Sequence, residues 1–204
     1  MPHLLELCCG TKSVGKVFEA LGWTVTSVDF DPQFAPTLCM DVHDLRPEMI
    51  GGKVDLVWAS PLCTHYSRAR TKARTPRDLE GSDALVQKCL DLADQFKCKL
   101  KTRDVVKDIP FRVVDYCKYA DDRFAHRARK RTAIWTDTNW QPTRPLCQKD
   151  CGNCANGRHT ESAQRGPNRG NGSRHTLHEL YAIPPALVED IATWVNDRWL
   201  QTAI

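Results

Sequence analysis

The sequence lacks the features of a membrane or exported protein. No apolar run reaches about 18 residues, the length that a membrane-spanning helix needs. The start, Met1–Leu7, has no basic segment followed by a long apolar one, so we expect neither a secretion signal nor a transit peptide. We therefore expect an intracellular protein, in the cytoplasm and nucleoid or in a nucleus, with no membrane partner.

No strong excess of charge or low-complexity sequence marks the chain as disordered. The 204 residues carry a net charge of +4, with 41% hydrophobic and 26% charged residues. Such values are typical of one globular domain, here with room for a small insert. The unusual feature is the presence of 10 cysteines. In an intracellular protein these thiols should be reduced, so they are candidates for packing, catalysis or metal binding.

Alternating strand and helix patterns predict an α/β fold with a parallel sheet. Leu4–Cys8 and Trp23–Asp29 have the composition of strands, and Ser13–Leu21 between them has an amphipathic helical pattern. A further strand is predicted at Val54–Ser60, followed by a helix at Leu79–Phe96. A β-α-β unit of this kind is the seed of a parallel sheet.

The second half of the sequence is less regular. Strands are predicted at Phe111–Cys117 and Arg131–Thr136, and a last helix begins near Pro184. Residues 141–176 are rich in Gly, Pro, Asn, Arg and Cys and have almost no aliphatic side chains, so they cannot build a hydrophobic core. We predict a core over residues 1–140, an insert over 141–176, and a C-terminal helix over 177–204 that packs back on the core.

The turn after the first strand is a candidate ligand-binding corner, for which three interpretations are open. The dinucleotide fingerprint fails because Lys12 stands at its second glycine. The P-loop pattern is nearly met, but Val17 replaces the hydroxyl that would bind Mg²⁺. A methyl-donor site would use Asp29 for ribose hydroxyls and Asp41 near adenine. A tight turn with two solvated aspartates is the structural alternative.

A cysteine follows the predicted Val54–Ser60 strand, at the sheet edge where α/β enzymes place catalytic groups. Pro61 turns the chain there, Cys63 comes next, and the nearby cations Arg68 and Arg70 favour a thiolate. A phosphatase loop is excluded because Ala69 stands where its arginine would be. The alternative is a buried, inert thiol.

Several segments, in order along the chain, resemble motifs of the cytosine-5 DNA methyltransferase family. They are the cofactor-binding stretch Glu6–Gly15, the acidic residues Asp29 and Asp41, the nucleophile loop Ser60–Cys63 with Ser67, the Gln-x-Arg-x-Arg-like stretch Arg127–Arg131, the segment Arg174–Leu177, and the last motif Ala182–Leu187. The resemblance implies a doubly wound, Rossmann-like S-adenosylmethionine-dependent methyltransferase domain with a small Cys-rich insert.

The resemblance also implies site residues, with DNA as the substrate and a monomeric enzyme. Cys63 would add to cytosine C6, making C5 nucleophilic, while Arg129 and Arg131 hold the flipped base. Residues implied for S-adenosylmethionine binding are Leu7, Cys8, Cys9, Gly10, Thr11, Ser13, Val14, Asp29, Phe30, Asp41, Val42, Ser60 and Pro61. Those implied for DNA contact are Ser67, Arg68, Arg70, Arg174 and Thr176. A related branch methylates tRNA, so RNA is an alternative substrate.

The chain departs from the family pattern in one chemically important place. The family carries a Glu-Asn motif after the helix predicted at Leu79–Phe96, and its glutamate assists thiol attack. Here Lys97–Arg103 crosses that region without a glutamate or asparagine, and about a dozen residues of strand and loop are missing. General acid assistance is typically worth about 10²–10⁴-fold in rate. A binding module that has lost turnover is therefore a second hypothesis.

Three cysteines and a histidine cluster within the insert. Cys147, Cys151, Cys154 and His159 lie within 13 residues and offer the ligand types of a tetrahedral structural zinc site. His175 or His178 could replace His159, and three unligated thiols are the alternative. The basic side chains of this segment also suit DNA phosphates, although a solvated basic loop would have the same composition. The four remaining cysteines are assigned to packing, namely Cys39, Cys89, Cys98 and Cys117.

Overall fold

A computed structural model describes residues 1–66, 75–96, 110–136, 138–163 and 175–202, without the side chains of residues 177 and 199–202. The chain forms two compact units. The first unit comprises Met1–Pro110 with Trp135–Thr138, and the second comprises Phe111–Ile134 with Asn139–Ile204. None of the helices in the described ranges is long and apolar enough to cross a membrane.

The first unit contains a four-stranded parallel sheet, as the sequence predicts. Its strands are β1 (His3–Leu7), β2 (Thr24–Asp29), β3 (Leu38–Cys39) and β4 (Leu56–Ala59). They are ordered β3-β2-β1-β4, and every pair is parallel. Short 3-10 helices at Pro32–Phe34, Val42–Asp44 and Pro47–Met49 connect β2, β3 and β4. The α/β class is confirmed, and the predicted strands agree with β1, β2 and β4 to within about two residues.

Two helices cover opposite faces of this sheet. Because strand side chains alternate between faces, Leu5 and Leu7 of β1 point one way and Glu6 the other. Leu5 and Leu7 share a buried cluster with Leu92 of α2 (Leu79–Gln95). Glu6 instead accepts a hydrogen bond from the first residue of α1 (Gly15–Ala20). All five residues of β1 are buried, as expected of a central strand.

Strand β4 precedes, along the chain, the region in which the sequence lacks a Glu-Asn motif. Within the ranges that the structure describes, β4 pairs only with β1 and is therefore an edge strand. Residues 97–109, which contain the shortened segment and Cys98, lie outside the described residues.

The second unit consists of short elements. They are β5 (Phe111–Asp115), α3 (Tyr116–Tyr119), β6 (Arg131–Trp135, whose last residue belongs to the first unit), β7 (Cys154–Ala155), β8 (Arg158–His159), α4 (Leu177–Tyr181) and α5 (Pro185–Thr202). Strand β5 pairs with β6, and β7 pairs with β8 in a hairpin. Helix α3 packs against α5, where the Tyr119 hydroxyl donates to Asp190 at 2.9 Å.

One strand prediction in this unit was too long. Strand β5 ends at Asp115, and Tyr116 and Cys117 belong to helix α3 instead. The backbone amide of Tyr116 still donates to the Lys130 carbonyl at 3.1 Å, after which the chain turns into the helix. Tyr116, Cys117 and Tyr119 are all buried. A short apolar stretch such as Tyr116-Cys117 gives the same sequence signal in a buried strand and in a short buried helix.

Candidate functional site

The candidate site lies at the carboxyl edge of the parallel sheet. Leu7 is in register with Val28 on one side and Ala59 on the other, so β1, β2 and β4 end together. The pairing extends past the strand ends. The Cys9 amide donates to the Val28 carbonyl oxygen at 3.1 Å, and the Ser60 amide donates to the Leu7 carbonyl oxygen at 3.0 Å. The turn after β1, the acidic end of β2 and the Cys63 loop therefore lie at one edge, where α/β proteins bind ligands.

The turn after β1 is folded by left-handed residues. Cys8, Gly10 and Lys12 have φ angles of 53°, 46° and 54°. Lys12 stands where the methyltransferase family has a glycine, and its backbone keeps the conformation that favours glycine. Its ammonium group contacts the Ala35 carbonyl oxygen. The Thr11 and Ser13 hydroxyls are 2.8 Å apart across the same turn.

Asp29 ties the end of β2 to this turn. Its carboxylate is 7% exposed and accepts from the Gly10 amide at 2.9 Å and from the Asp31 amide at 3.0 Å. The next residue, Phe30, is 67% exposed, which is unusual for a phenylalanine. A carboxylate beside an exposed aromatic ring matches what a ribose and an adenine need, namely an acceptor for hydroxyls and a stacking surface.

Asp41 and Val42 follow strand β3. Asp41 is exposed and caps the 3-10 helix Val42–Asp44 by accepting from the His43 amide at 2.8 Å. Val42 is buried in the cluster beneath the sheet edge. The residues predicted to bind the cofactor thus belong to the first unit, but Leu7, Cys9, Val14 and Val42 are buried, so their side chains are part of the core.

Glu6 is a buried acid that the sequence analysis did not single out. Only 2% of it is exposed, and its carboxylate accepts from the amides of Val14 at 3.3 Å and Gly15 at 3.1 Å. Burial raises the pKa of Glu6 to about 7, against the opposing effect of these two hydrogen bonds. A side chain at Gly15 would place its Cβ 2.6 Å from the Glu6 carboxylate, so any other residue there would displace that carboxylate. Glu6 therefore holds the start of α1.

Cys63 is exposed, so the buried, inert thiol is not what the structure shows. Its carbonyl accepts from the Tyr66 amide at 3.1 Å. The Tyr66 hydroxyl donates to Asp83 of α2, and the His65 ring accepts from the amide of Asp78, the N-cap of α2, at 2.7 Å. The loop that carries the thiol is thereby anchored to α2.

The two thiols of the turn after β1, Cys8 and Cys9, both have raised pKa values. A hydrogen bond with Cys89, together with burial, raises the pKa of Cys8 well above its usual value. Burial raises the pKa of Cys9 to about 12. Ser60 accepts from the Trp58 indole at 2.9 Å and so fixes the start of the Cys63 loop. The predicted DNA contacts Ser67, Arg68, Arg70 and Arg174 lie outside the described residues.

Arg129 and Arg131 lie in the second unit, where Asp115 holds both. Arg131 donates to the two Asp115 oxygens at 3.0 and 2.8 Å, and Arg129 donates to one of them at 3.3 Å. The Cys147 amide donates to the same carboxylate at 3.0 Å. Burial alone would raise the pKa of Asp115, but the hydrogen bonds from the two arginines outweigh it and lower that pKa. Asp115 was not recognised from the sequence, because a strand-end aspartate carries no distinctive motif.

Thr176, a predicted DNA contact, has a structural role in α4. Its hydroxyl accepts from the Glu179 amide at 3.2 Å, while the Glu179 carboxylate accepts from the Thr176 amide at 2.6 Å. The two residues thus form a capping box. The start of α4 carries the Ser/Thr-x-x-Glu pattern that could have predicted it.

The second unit also gathers a group of potential metal ligands. One ligand atom from each of Cys117, Cys147, Cys151 and His159 lies within 4.8 Å of every other. Cys117 was assigned to packing from the sequence because it lies 30 residues before Cys147. Cys154 is outside this group, although its sulfur lies 3.9 Å from that of Cys151. His175, an alternative ligand, contacts Glu161 at 3.2 Å instead.

Comparison with known proteins tests the resemblance to the cytosine-5 methyltransferase family. No protein-family model matches the chain. Over 220 residues it is 28% identical to the "Probable DNA (cytosine-5)-methyltransferase" of Frog virus 3 (isolate Goorha), in a match covering 93% of this chain and 98% of the relative. The predicted resemblance to the cytosine-5 methyltransferase family is confirmed.

Proposed function

We propose that the protein is a DNA (cytosine-5)-methyltransferase that uses S-adenosylmethionine as methyl donor and Cys63 as nucleophile. The observation that carries the proposal is the exposed Cys63 thiol on an anchored loop, at the same sheet edge as Asp29 and the turn after β1. The Frog virus 3 relative, a "Probable DNA (cytosine-5)-methyltransferase", supports the same activity.

The residues at the sheet edge fit the methyl donor. S-adenosylmethionine supplies a sulfonium-bound methyl group when bound. Asp29 would accept from the ribose hydroxyls, exposed Phe30 would stack on the adenine, and Asp41 would lie near the adenine edge. The backbone of the turn after β1, shaped by its left-handed residues, would line the remaining part of the site.

Cys63 would act as a nucleophile that bonds to the cytosine ring and is released unchanged at the end of the reaction. Cytosine C5 is a weak nucleophile, and a thiolate that forms a bond to C6 makes C5 enamine-like. C5 then takes up the methyl group, loses its proton to solvent or to a base, and the C6–sulfur bond breaks to release the thiolate. C6 is inaccessible inside a base stack, so the base must be flipped out. Arg129 and Arg131 would hold that base.

The second candidate is a methyltransferase-like module that binds the methyl donor or DNA without turnover. It is favoured by the absence of glutamate and asparagine from Lys97–Arg103. Loss of a general acid is typically worth about 10²–10⁴-fold in rate, which slows the reaction without abolishing thiol addition. We therefore expect slow methyl transfer. A DNA-modifying enzyme acts where DNA is, so we propose an intracellular location.

A methyl-transfer assay tests the proposal. Purified protein is incubated with S-adenosylmethionine carrying a labelled methyl group and cytosine-containing duplex DNA. We expect label in 5-methylcytosine, lost in Cys63→Ser and retained in the control Cys39→Ser, since Cys39 is equally an exposed thiol. Label in DNA from Cys63→Ser would reject Cys63 as nucleophile. Binding of the donor, measured by calorimetry, without any methyl transfer would favour the module. In a parallel reaction with tRNA, label in tRNA and none in DNA would favour an RNA substrate.

A further inference from the structure

The Cys/His group lies in the second unit and includes none of the residues proposed for methyl transfer. Its four members come from three separate parts of the sequence, namely helix α3, the loop before β7, and strand β8. Cys117 and Cys147 are buried, whereas Cys151 and His159 are partly exposed. Side chains so distant in sequence that converge on one point indicate a site built by the fold.

The spacing of the ligand atoms fits tetrahedral zinc. With Zn–S bonds of about 2.3 Å and Zn–N bonds of about 2.0 Å, neighbouring ligand atoms in a tetrahedron lie about 3.5–3.8 Å apart. The Cys147 sulfur lies 3.4 Å from the His159 Nε2 atom, and no pair among the four ligand atoms exceeds 4.8 Å. A zinc ion needs only a small contraction of this group.

The backbone around Cys147 fixes the position of its sulfur atom. The Lys149 amide donates to the Cys147 sulfur at 3.3 Å, with Lys149 in the left-handed region at φ 72°. The Cys147 amide is itself held by Asp115, which fixes the sulfur relative to β5. Hydrogen bonds of this kind around a metal ligand orient it toward the metal.

A tight hairpin positions the histidine. Strands β7 and β8 are joined by Asn156 and Gly157, whose φ angles of 50° and 71° are those of a two-residue hairpin turn. The turn places His159 directly opposite Cys154. Residues 139–163 have few aliphatic side chains, so a bound metal would supply stability that a core cannot.

We propose that Cys117, Cys147, Cys151 and His159 bind one structural Zn²⁺ ion. Each thiol releases its proton to solvent on binding, and the imidazole binds as the neutral ring through Nε2. Four protein ligands close the coordination shell, which is the pattern of structural rather than catalytic zinc. Cys154 lies beside the site but is not a ligand. The proposal does not depend on methyl-transfer activity.

Metal analysis of the full-length protein, with a matched pair of cysteine variants, tests the ligand set. We expect about one zinc ion per chain in the parent and in Cys154→Ser, and at least a tenfold loss in Cys117→Ser. Retained zinc in Cys117→Ser together with loss in Cys154→Ser would overturn the assignment. A parent chain without zinc after expression and refolding in zinc would reject the site.

A second pair of variants separates metal loss from misfolding. His159 lies on a partly exposed hairpin, so its replacement is a small risk to the fold. We expect His159→Ala to lose the metal and His159→Cys, which restores a fourth soft ligand, to keep it. Titration with Co²⁺ gives an independent readout, because tetrahedral thiolate-bound cobalt absorbs visible light. Equal metal content in the two variants would contradict the proposal, whatever the methyl-transfer assay shows.

Discussion

At the scale of single residues, the buried Glu6 carboxylate couples folding to pH. Its pKa rises to about 7 in the folded protein from an ordinary value of 4.5, because burial disfavours the charged form. A group whose pKa rises on folding contributes most below the unfolded pKa, and that contribution is lost as the pH rises through the folded pKa. Between pH 4.5 and 8 we therefore expect Glu6 to lower the free energy of unfolding by on the order of 1–3 kcal/mol.

Replacing Glu6 with glutamine tests this directly. Glu6→Gln cannot ionise; it keeps one acceptor oxygen for either the Val14 or the Gly15 amide and turns its NH2 group toward the other, a cost that does not depend on pH. Urea unfolding at pH 5 and pH 8 should show that the variant gains stability relative to the parent as the pH rises. A difference between parent and variant that is the same at both pH values would show that Glu6 does not titrate as described.

Lys12 gives a second prediction for a single residue. It stands at a family glycine position with φ 54°, a conformation that costs a residue with a Cβ about 1 kcal/mol. Lys12→Gly and Lys12→Ala both remove the ammonium contact to Ala35, but only glycine relieves the backbone. We expect Lys12→Gly to be more stable than Lys12→Ala by about 1 kcal/mol in chemical denaturation. Equal stabilities would contradict a strained turn.

At the scale of elements, Asp115 joins strand β5, the two arginines before and at the start of β6, and the cysteine loop. Asp115→Asn keeps the size but loses the charge that binds Arg129 and Arg131. Because both arginines are partly exposed, we expect a loss of about 2 kcal/mol at pH 7 rather than the larger value of a fully buried pair.

The pH dependence of that loss identifies its cause. Asp115 has a lowered pKa when folded, so its contribution is present above the unfolded pKa and is lost as the pH falls through the folded pKa. The difference between parent and Asp115→Asn in urea unfolding should therefore shrink below about pH 4. As a control, Asp122→Asn removes a fully exposed partner of Arg127 and should change stability by less than about 0.5 kcal/mol. A loss that persists unchanged in acid would point to packing instead of charge.

The elements also show what the sequence could and could not predict. Strands β1, β2 and β4 were predictable, because β1 and β4 are short and mainly apolar and β2 is rich in β-branched residues. The start of α3 was not predictable, because the apolar residues Tyr116 and Cys117 are equally compatible with a buried strand and a buried helix. Cys117 as a metal ligand and Asp115 as an arginine partner depend on contacts between residues far apart in sequence, and spacing within one segment cannot reveal them.

At the scale of the whole molecule, the residues proposed for methyl transfer are distributed over both units along the chain. Cys63 and the cofactor-binding residues lie in the first unit, and Arg129, Arg131 and the proposed zinc site lie in the second. Order along the chain allowed the family to be recognised across this division, because each motif keeps its local pattern. The shortened Lys97–Arg103 segment then predicts slow chemistry, since no glutamate stands at the family position.

The slow rate has its own test at this scale. Single-turnover methyl transfer with enzyme in excess should show a chemical step about 10²–10⁴-fold slower than that of a cytosine-5 methyltransferase with an intact Glu-Asn motif, assayed side by side. Affinity for the methyl donor should be comparable in the two enzymes, because the residues proposed to bind it all precede the shortened segment in the sequence. A chemical step as fast as in the intact enzyme would mean that another group replaces the missing glutamate.

Trapping of the covalent intermediate tests the central claim most directly. The protein is incubated with S-adenosylmethionine and duplex DNA in which 5-fluorocytosine replaces cytosine, so that C5 cannot lose a proton and the adduct cannot resolve. Mass spectrometry should find a methylated 5-fluorocytosine attached to the peptide that contains Cys63. The adduct should be absent from Cys63→Ser and present in Cys39→Ser. A parent protein that binds the methyl donor and DNA but yields no adduct would contradict catalysis through Cys63.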